Sequence, residues 1–272
     1  MKKYRVKPGA RLELDDHDPQ DTGAYRKDAA GKAKAGRAAD ELDARLGVLQ
    51  QRLYANADRA LLVVLQGMDT SGKDGTIKNV MSGVNPQGCH VVSFKAPSAE
   101  ELAHDFLWRV HKQAPAKGKI GVFNRSHYED VLVPRVHGQL SKSEVKQRCQ
   151  QIRAFEQTLH ASGTTVIKFF LHISKDEQKE RLQARIRDPE KRWKWSSRDL
   201  DERKLWDDYL RAFEDAIGAT STAEAPWYIV PADRKWYRNL VVAETLVATL
   251  EAMKLKCPPA PKGIDWDKLK ID

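Results

Sequence analysis

Residues 61–75 read L-L-V-V-L-Q-G-M-D-T-S-G-K-D-G, an apolar run that breaks straight into a glycine-rich loop carrying a lysine. Gly67, Gly72 and Lys73 have G-x-x-x-x-G-K spacing, the pattern of a phosphate-binding P-loop, and the motif follows a strand-like run and opens a helix-like one. Few architectures accept such a loop. It requires a strand, a tight turn and a helix in succession, so that backbone N–H groups curl around phosphate oxygens at the helix's positive end. Gly67, Thr70, Ser71, Gly72, Asp74 and Gly75 are therefore candidate phosphate-binding positions, with Lys73 as a point charge on the bound group. Two acids set this loop apart: Asp74 stands where a Ser or Thr usually follows the lysine, and Asp69 lies inside the loop. Asp74 reads either as an N-terminal helix acid or as a magnesium ligand replacing the hydroxyl. Asp69 is read as metal-linked or acceptor-orienting in preference to a plain turn residue, because a bare carboxylate beside phosphates repels them.

The rest of the chain alternates strand-like and helix-like segments. Strands are expected at 61–66, 89–94, 120–123, 164–171 and 227–230. A helix is expected over 33–55, with Leu42, Leu46, Leu49 and Leu53 on one face, and others over 199–217 and 236–253. Ser98 with Glu101, Ser141 with Glu144 and Ser174 with Glu177 match the capping-box pattern. Such alternation predicts an α/β three-layer sandwich with a central parallel sheet of about five strands. Residues 1–30 read as an N-terminal arm, 31–256 as the domain proper and 257–272 as a tail, with Pro258, Pro259 and Pro261 ending regular structure.

The net charge of +9 favours a polyanionic partner. No segment approaches the ~20 apolar residues of a membrane span, and M-K-K-Y-R-V-K-P-G lacks the apolar stretch of a secretory signal. Cys89, Cys149 and Cys257 are scattered without metal spacing, which suits a reducing compartment. A cytoplasmic protein with no membrane and no nucleic-acid partner is expected.

Two further constellations carry chemistry. After the strand at 120–123 come Asn124, Arg125, Ser126, His127, Tyr128, Glu129 and Asp130. Arg125 at a strand's carboxyl end is placed to clamp developing phosphate charge. Glu129 reads either as the metal or acceptor acid that Asn124 cannot be, or as a helix-start acid. His127 reads as a hydrogen-bonded structural histidine. Then Arg181 and Arg185, spaced i, i+4, run into D-P-E-K-R-W-K-W at 188–195. That is either a solvated face or a mobile lid over about 181–198, as small kinases build. Trp193 and Trp195 are read as packing the lid onto the body rather than stacking a base.

The segments G-M-D-T-S-G-K-D-G-T-I-K (67–78), F-K-A-P-S-A-E-E-L (94–102), F-N-R-S-H-Y-E-D-V-L-V (123–133), D-P-E-K-R-W-K (188–194), L-W-D-D-Y (205–209) and P-W-Y-I-V-P-A-D-R-K-W-Y-R (226–238) together resemble the polyphosphate kinase 2 family. The similarity spans about residues 30–255 and is greatest to class III, whose members phosphorylate both AMP and ADP. It implies a thymidylate-kinase-like P-loop kinase fold with a helical lid, assembled as a dimer or tetramer. By the same resemblance Asp69, Lys73, Arg125 and Glu129 are catalytic, and Asp69, Asp74 and Glu129 hold Mg2+, with Mn2+ as an alternative. Lys78 contacts the polyphosphate chain, Asn124 belongs to the Walker B-like cluster, and Arg181 and Arg185 sit on the lid helix. Asn124 departs from the Asp that family members often carry, which shifts metal binding towards Asp69 and Glu129.

The expected activity is transfer of the terminal phosphate of inorganic polyphosphate to AMP and ADP, giving ADP and ATP. A phosphate acceptor is already ionised near neutrality, so the obstacle is gathering like charges, and lysine, arginine and a metal remove it. Two rival readings stand beside it: an ATP-dependent nucleoside monophosphate kinase, and a non-catalytic nucleotide or nucleic-acid binding regulator. The second would use a basic face at Arg109, Lys112, Lys117 and Lys119, which reads better as solvated surface.

Overall fold

The computed structural model describes residues 2–264 and 268–270; positions 265–267 and 271–272 of the expected tail, and Met1 of the arm, lie outside the described residues. Five strands form the sheet: β1 (Ala60–Gln66), β2 (Cys89–Ser93), β3 (Ile120–Asn124), β4 (Thr164–His172) and β5 (Trp227–Pro231). All pairings are parallel and the order is β2-β3-β1-β4-β5. β1 lies at the centre and is buried at every position, as its uninterrupted apolar run requires. β2 is the exposed edge, the one strand here with no fully buried residue.

The helices are α1 (Ala29–Asn56), α2 (Lys73–Val80), α3 (Ala99–Leu102), α4 (Trp108–His111) and α5 (Glu129–Val136). They continue as α6 (Lys142–Ala161), α7 (Lys175–Arg187), α8 (Arg198–Lys204), α9 (Trp206–Thr220) and α10 (Lys235–Ala252). α10 packs on α1 and α2 over one face of the sheet, and α5, α6 and α9 pack together over the other. The chain leaves β1 towards β2, returns to β3 beside β1, and then crosses to β4 and β5 on the far side. A crevice at the carboxyl ends of β1 and β3 is where such a sheet places a ligand.

Several boundaries differ from expectation for local reasons. α1 starts at Ala29 because the Asp28 side chain accepts from Gly31 N–H and caps it there. The helix expected over 199–217 is two helices, broken at Leu205, where ψ is 19°. Ser174 caps α7, but its own N–H donates to Asp233 Oδ1 at 2.8 Å instead of to Glu177, so the box is half formed. The arm lies against the last strand: Val6 N–H donates to Trp227 O at 2.9 Å, and the Tyr4 and Tyr237 hydroxyls meet at 2.7 Å. Arg109, expected on a basic surface with Lys112, Lys117 and Lys119, is only 6 % exposed; its Nη2 pairs with Asp130 Oδ2 at 3.0 Å. An arginine on a short helix finds a carboxylate from α5 that no local pattern announces.

The core contains a fully buried charge cluster. Lys168, in the middle of β4, donates to Glu156 Oε2 at 2.5 Å, to Thr220 O at 2.8 Å and to Tyr128 Oη at 3.1 Å. Tyr128 Oη also donates to Glu156 Oε1, and His127 Nε2 lies 3.3 Å from the same oxygen. Burial by itself would raise the Glu156 pKa, but the Lys168 ammonium and His127 outweigh it and hold the carboxyl below its ordinary value. His127 is thus the structural histidine expected. The cluster anchors the residues directly before Glu129 to α6 and β4. Removing one partner strands the other charge, so Lys168→Met should destabilise by about 3–5 kcal/mol in urea unfolding. Lys168→Met/Glu156→Leu should recover most of that loss; a double variant no more stable than the single would contradict this account.

Candidate active site

The P-loop connects β1 to α2. Gly72 caps α2 at φ +105° with no side-chain hydrogen bond, so the first-turn N–H groups are left uncapped. A Cβ at Gly67 would lie 2.8 Å from Leu171 O, so only glycine passes between β1 and β4 here. Thr70, at φ +62°, takes the left-handed conformation without being glycine. Lys73 Nζ folds back onto the loop, donating to Gly67 O at 2.7 Å and Met68 O at 3.2 Å. Burial, and then the Arg125 charge, push its pKa down to about 8 against the pull of Asp69, Glu129 and Asp74.

Arg125 extends the ladder through Arg125 N–H to Leu65 O and then turns at φ +62°. A non-glycine residue held there stores on the order of 1–3 kcal/mol of strain, of a kind concentrated at functional sites. The turn aims the guanidinium back over the P-loop. Nη2 meets Asp69 Oδ1 at 2.6 Å and Nη1 meets Glu129 Oε2 at 3.1 Å. Glu129 Oε1 accepts in turn from Gln66 Nε2 at 3.1 Å. Asp69, Arg125, Glu129 and Lys73 therefore form one group at the carboxyl ends of β1 and β3. Asp69, Arg125 and Glu129 border a cleft of about 1160 Å³ that extends under Phe94, Pro97 and Phe106 towards α6. That volume accommodates a nucleotide.

Asp74 stands apart from that group. Its Oδ1 accepts from Asn124 Nδ2 at 2.8 Å and its Oδ2 pairs with Lys194 at 3.2 Å. The Asn124 hydrogen bond, then Lys194, hold its carboxyl below the usual range. Asn124 thus faces the loop acid directly. Lys78 is exposed one turn further along α2.

The two arginines assigned to the lid are both engaged with protein atoms. Arg185 Nη1 donates to Lys194 O at 3.1 Å and Asp199 Oδ2 at 3.2 Å, tying α7 to the turn at Arg192–Lys194 and to α8. Arg181 departs from expectation. Its Nη1 donates to Thr70 O and Ser71 O, both at 3.0 Å, and its Nη2 to Ala232 O and Asp233 O. A guanidinium whose donors all reach main chain or Glu177 braces the loop from behind and is not displayed to a ligand. Trp193 is 77 % exposed and so does not pack the lid onto the body as expected, whereas Trp195 is 41 % exposed and partly covered.

Sequence reasoning passed over Gln66, Lys194 and Arg238. Gln66 is a polar residue ending an otherwise apolar, fully buried strand, and Arg238 shares an apolar helical face with Val241, Val242 and Thr245. Both were visible as charge or polarity in the wrong place. Lys194 carries no such signal within its basic run.

For a divalent cation the site offers hard oxygen donors: Asp69, Asp74 and Glu129, with Thr70 Oγ1, Ser71 Oγ and Gln66 Oε1 buried and without a hydrogen-bond partner among the described residues. No group of three His, Cys, Asp or Glu converges among the described residues. That donor set fits Mg2+, which takes one or two carboxylates and completes its shell with water and substrate phosphates.

The polyphosphate kinase 2 (PPK2) family model matches residues 29–258. An AMP/ADP-polyphosphate phosphotransferase of Meiothermus ruber is 53 % identical over 258 residues, covering 95 % of this chain and 96 % of that protein. An ADP-polyphosphate phosphotransferase of Rhodopseudomonas palustris is 51 % identical over 226 residues, covering 79 % and 78 %. The crystal structure of polyphosphate kinase 2 from Arthrobacter aurescens TC1 superposes with a TM-score of 0.93 at 44 % identity, covering 98 % of this chain and 94 % of that one. A sheet that sets the acid-bearing P-loop beside Arg125 and Glu129 and a match over most of the length lead to one assignment: the chain belongs to the polyphosphate kinase 2 family.

Proposed function

We propose that this protein transfers the terminal phosphate of inorganic polyphosphate to AMP and to ADP, forming ADP and ATP reversibly by in-line displacement. The observation that carries the reading is the position of Arg125, whose guanidinium joins a P-loop acid to Glu129 at the mouth of a nucleotide-sized cleft. One cation there serves both the group held in the loop and the acceptor in the cleft. Lys73, buried against the loop carbonyls, is one side-chain movement from a phosphate in the same loop. Lys78 and Lys194 extend the basic lane along α2 and the lid. The site needs no strong base, because the attacking oxygen of AMP or ADP is already ionised.

Mg2+, or Mn2+ in its place, would be held by one or two carboxylates drawn from Asp69, Asp74 and Glu129; when bound, the ion neutralises phosphate oxygens. The proposal includes a cytoplasmic, homo-oligomeric protein with no nucleic-acid or membrane partner. Its three cysteines are free, and among the described residues no helix is long and apolar enough to cross a membrane.

Two measurements test this. With AMP, magnesium and long polyphosphate, time-resolved product analysis should show ADP accumulating and then converting to ATP. Turnover with ATP as donor and none with polyphosphate would replace the reading with a nucleoside monophosphate kinase, and arrest at ADP would remove the second acceptor. Second, Lys73 is charged below its pKa of about 8 and neutral above it. The kcat/KM for polyphosphate should therefore decline as pH rises through about 8, earlier than an ordinary lysine would allow. A profile flat to well above that point would contradict the role given to Lys73.

A further inference from the structure

Arg238, in the first turn of α10, is 2 % exposed and lies beneath the P-loop without lining the cleft. Its Nη1 donates to Ser71 O at 3.1 Å, the same carbonyl that Arg181 reaches. Its Nε and Nη2 both donate to Asn239 Oδ1, at 3.1 and 2.8 Å. A Cβ added to Gly72 would fall 1.8 Å from Arg238 Nη1, and one on Gly75 3.5 Å from Nη2. The guanidinium is thus packed, Nη1 foremost, against the start of α2. Gly72 is glycine for two reasons, its left-handed φ and this contact.

The charge of Arg238 is not balanced locally. Arg181 has Glu177 at 2.7 Å, but among the described residues no carboxylate pairs with Arg238. Burial, and then the Arg181 charge beside it, hold the Arg238 pKa below its ordinary value. A carbonyl and an amide oxygen accept three of its five N–H donors and leave the charge uncompensated, which is costly in a dry interior. A neutral side chain could brace Ser71 O without that cost. The loop on its other side is built for anions.

We infer that Arg238 is a positioning residue for the donor: its buried charge is completed by the polyphosphate held in the P-loop, while its contacts with Ser71 and Gly72 fix the loop's shape. This deepens the proposed function and rests on it. The guanidinium acts through the loop and its field and does not touch the substrate. Coupling of this kind is reciprocal: the anion stabilises the buried cation as much as the cation strengthens anion binding.

The test compares wild type, Arg238→Gln and Arg238→Lys, using tripolyphosphate as the probe in calorimetric titration, with initial rates for AMP alongside. Arg238→Gln should weaken tripolyphosphate binding by about tenfold while the KM for AMP moves less than about twofold, and Arg238→Lys should stay within about threefold of wild type. A strut without an electrostatic role predicts the opposite pattern: a lower Tm, unchanged tripolyphosphate affinity in Arg238→Gln, and no benefit from lysine. Either unchanged binding in Arg238→Gln or equal losses in both variants overturns the inference. If Arg238→Gln does not fold, the neutral Arg238→Met replaces it in the same comparison: a loss of tripolyphosphate binding of about tenfold that Arg238→Lys does not show supports a role for charge, and binding equal to wild type overturns it. A wild-type protein that ignores tripolyphosphate but uses ATP overturns the donor reading itself, a result distinct from wild-type binding that Arg238→Gln leaves intact.

Discussion

The bridge from Asp69 through Arg125 to Glu129 is the contact on which the arrangement of the site depends. It connects the loop after β1 to the helix after β3, across the one place in the sheet where those two carboxyl ends are neighbours. Arg125 is 40 % exposed on its side chain and its partners 30 % and 20 %, so solvent screens the pair and neither contact is strong enough to trap it. A half-exposed guanidinium between two carboxylates can be released to phosphate oxygens, which offer it equal or greater negative charge. The carboxylates then become free to face a cation. The left-handed backbone at Arg125 is the structural cost of pointing the side chain that way.

Two buried supports keep that contact in place. On one face of the sheet, Lys168, Glu156, Tyr128 and His127 fix the short segment between Arg125 and Glu129, so both ends of the segment are set by the core. On the other, Arg181 and Arg238 hold the carbonyls of Thr70 and Ser71 from behind. Both devices bury charge at a thermodynamic cost and gain a single geometry at the loop. A neutral core would fold as well or better, so their cost makes sense only as part of the site.

How far the sequence alone reached follows from which interactions are local. Strand alternation, the P-loop and the capping serines at Ser98 and Ser141 depend on neighbours within a few residues, and each was legible. The segment from Asn124 to Glu129 was legible because a strand end beside a P-loop is a known address for phosphate chemistry. What stayed hidden depends on partners far along the chain. Lys168 lies unremarked within the strand expected over 164–171, and its partner Glu156 comes beside it from α6 only in the fold. Arg181 reads as one more lid cation until the carbonyls of Thr70 and Ala232 take its donors. Ser174 looked like a full capping box until Asp233, from the β5 end, took its N–H.

The central claim is that Asp69, Arg125 and Glu129 work as one unit. A double-mutant cycle on turnover tests it most directly, comparing Asp69→Asn, Glu129→Gln and the double variant in ADP formation from AMP and polyphosphate. Members of a unit fail together, so each single variant should lose most of the activity and the double variant little more than the worse of the two. Losses that simply multiply would mean that the two carboxylates act independently and that the bridge through Arg125 is incidental.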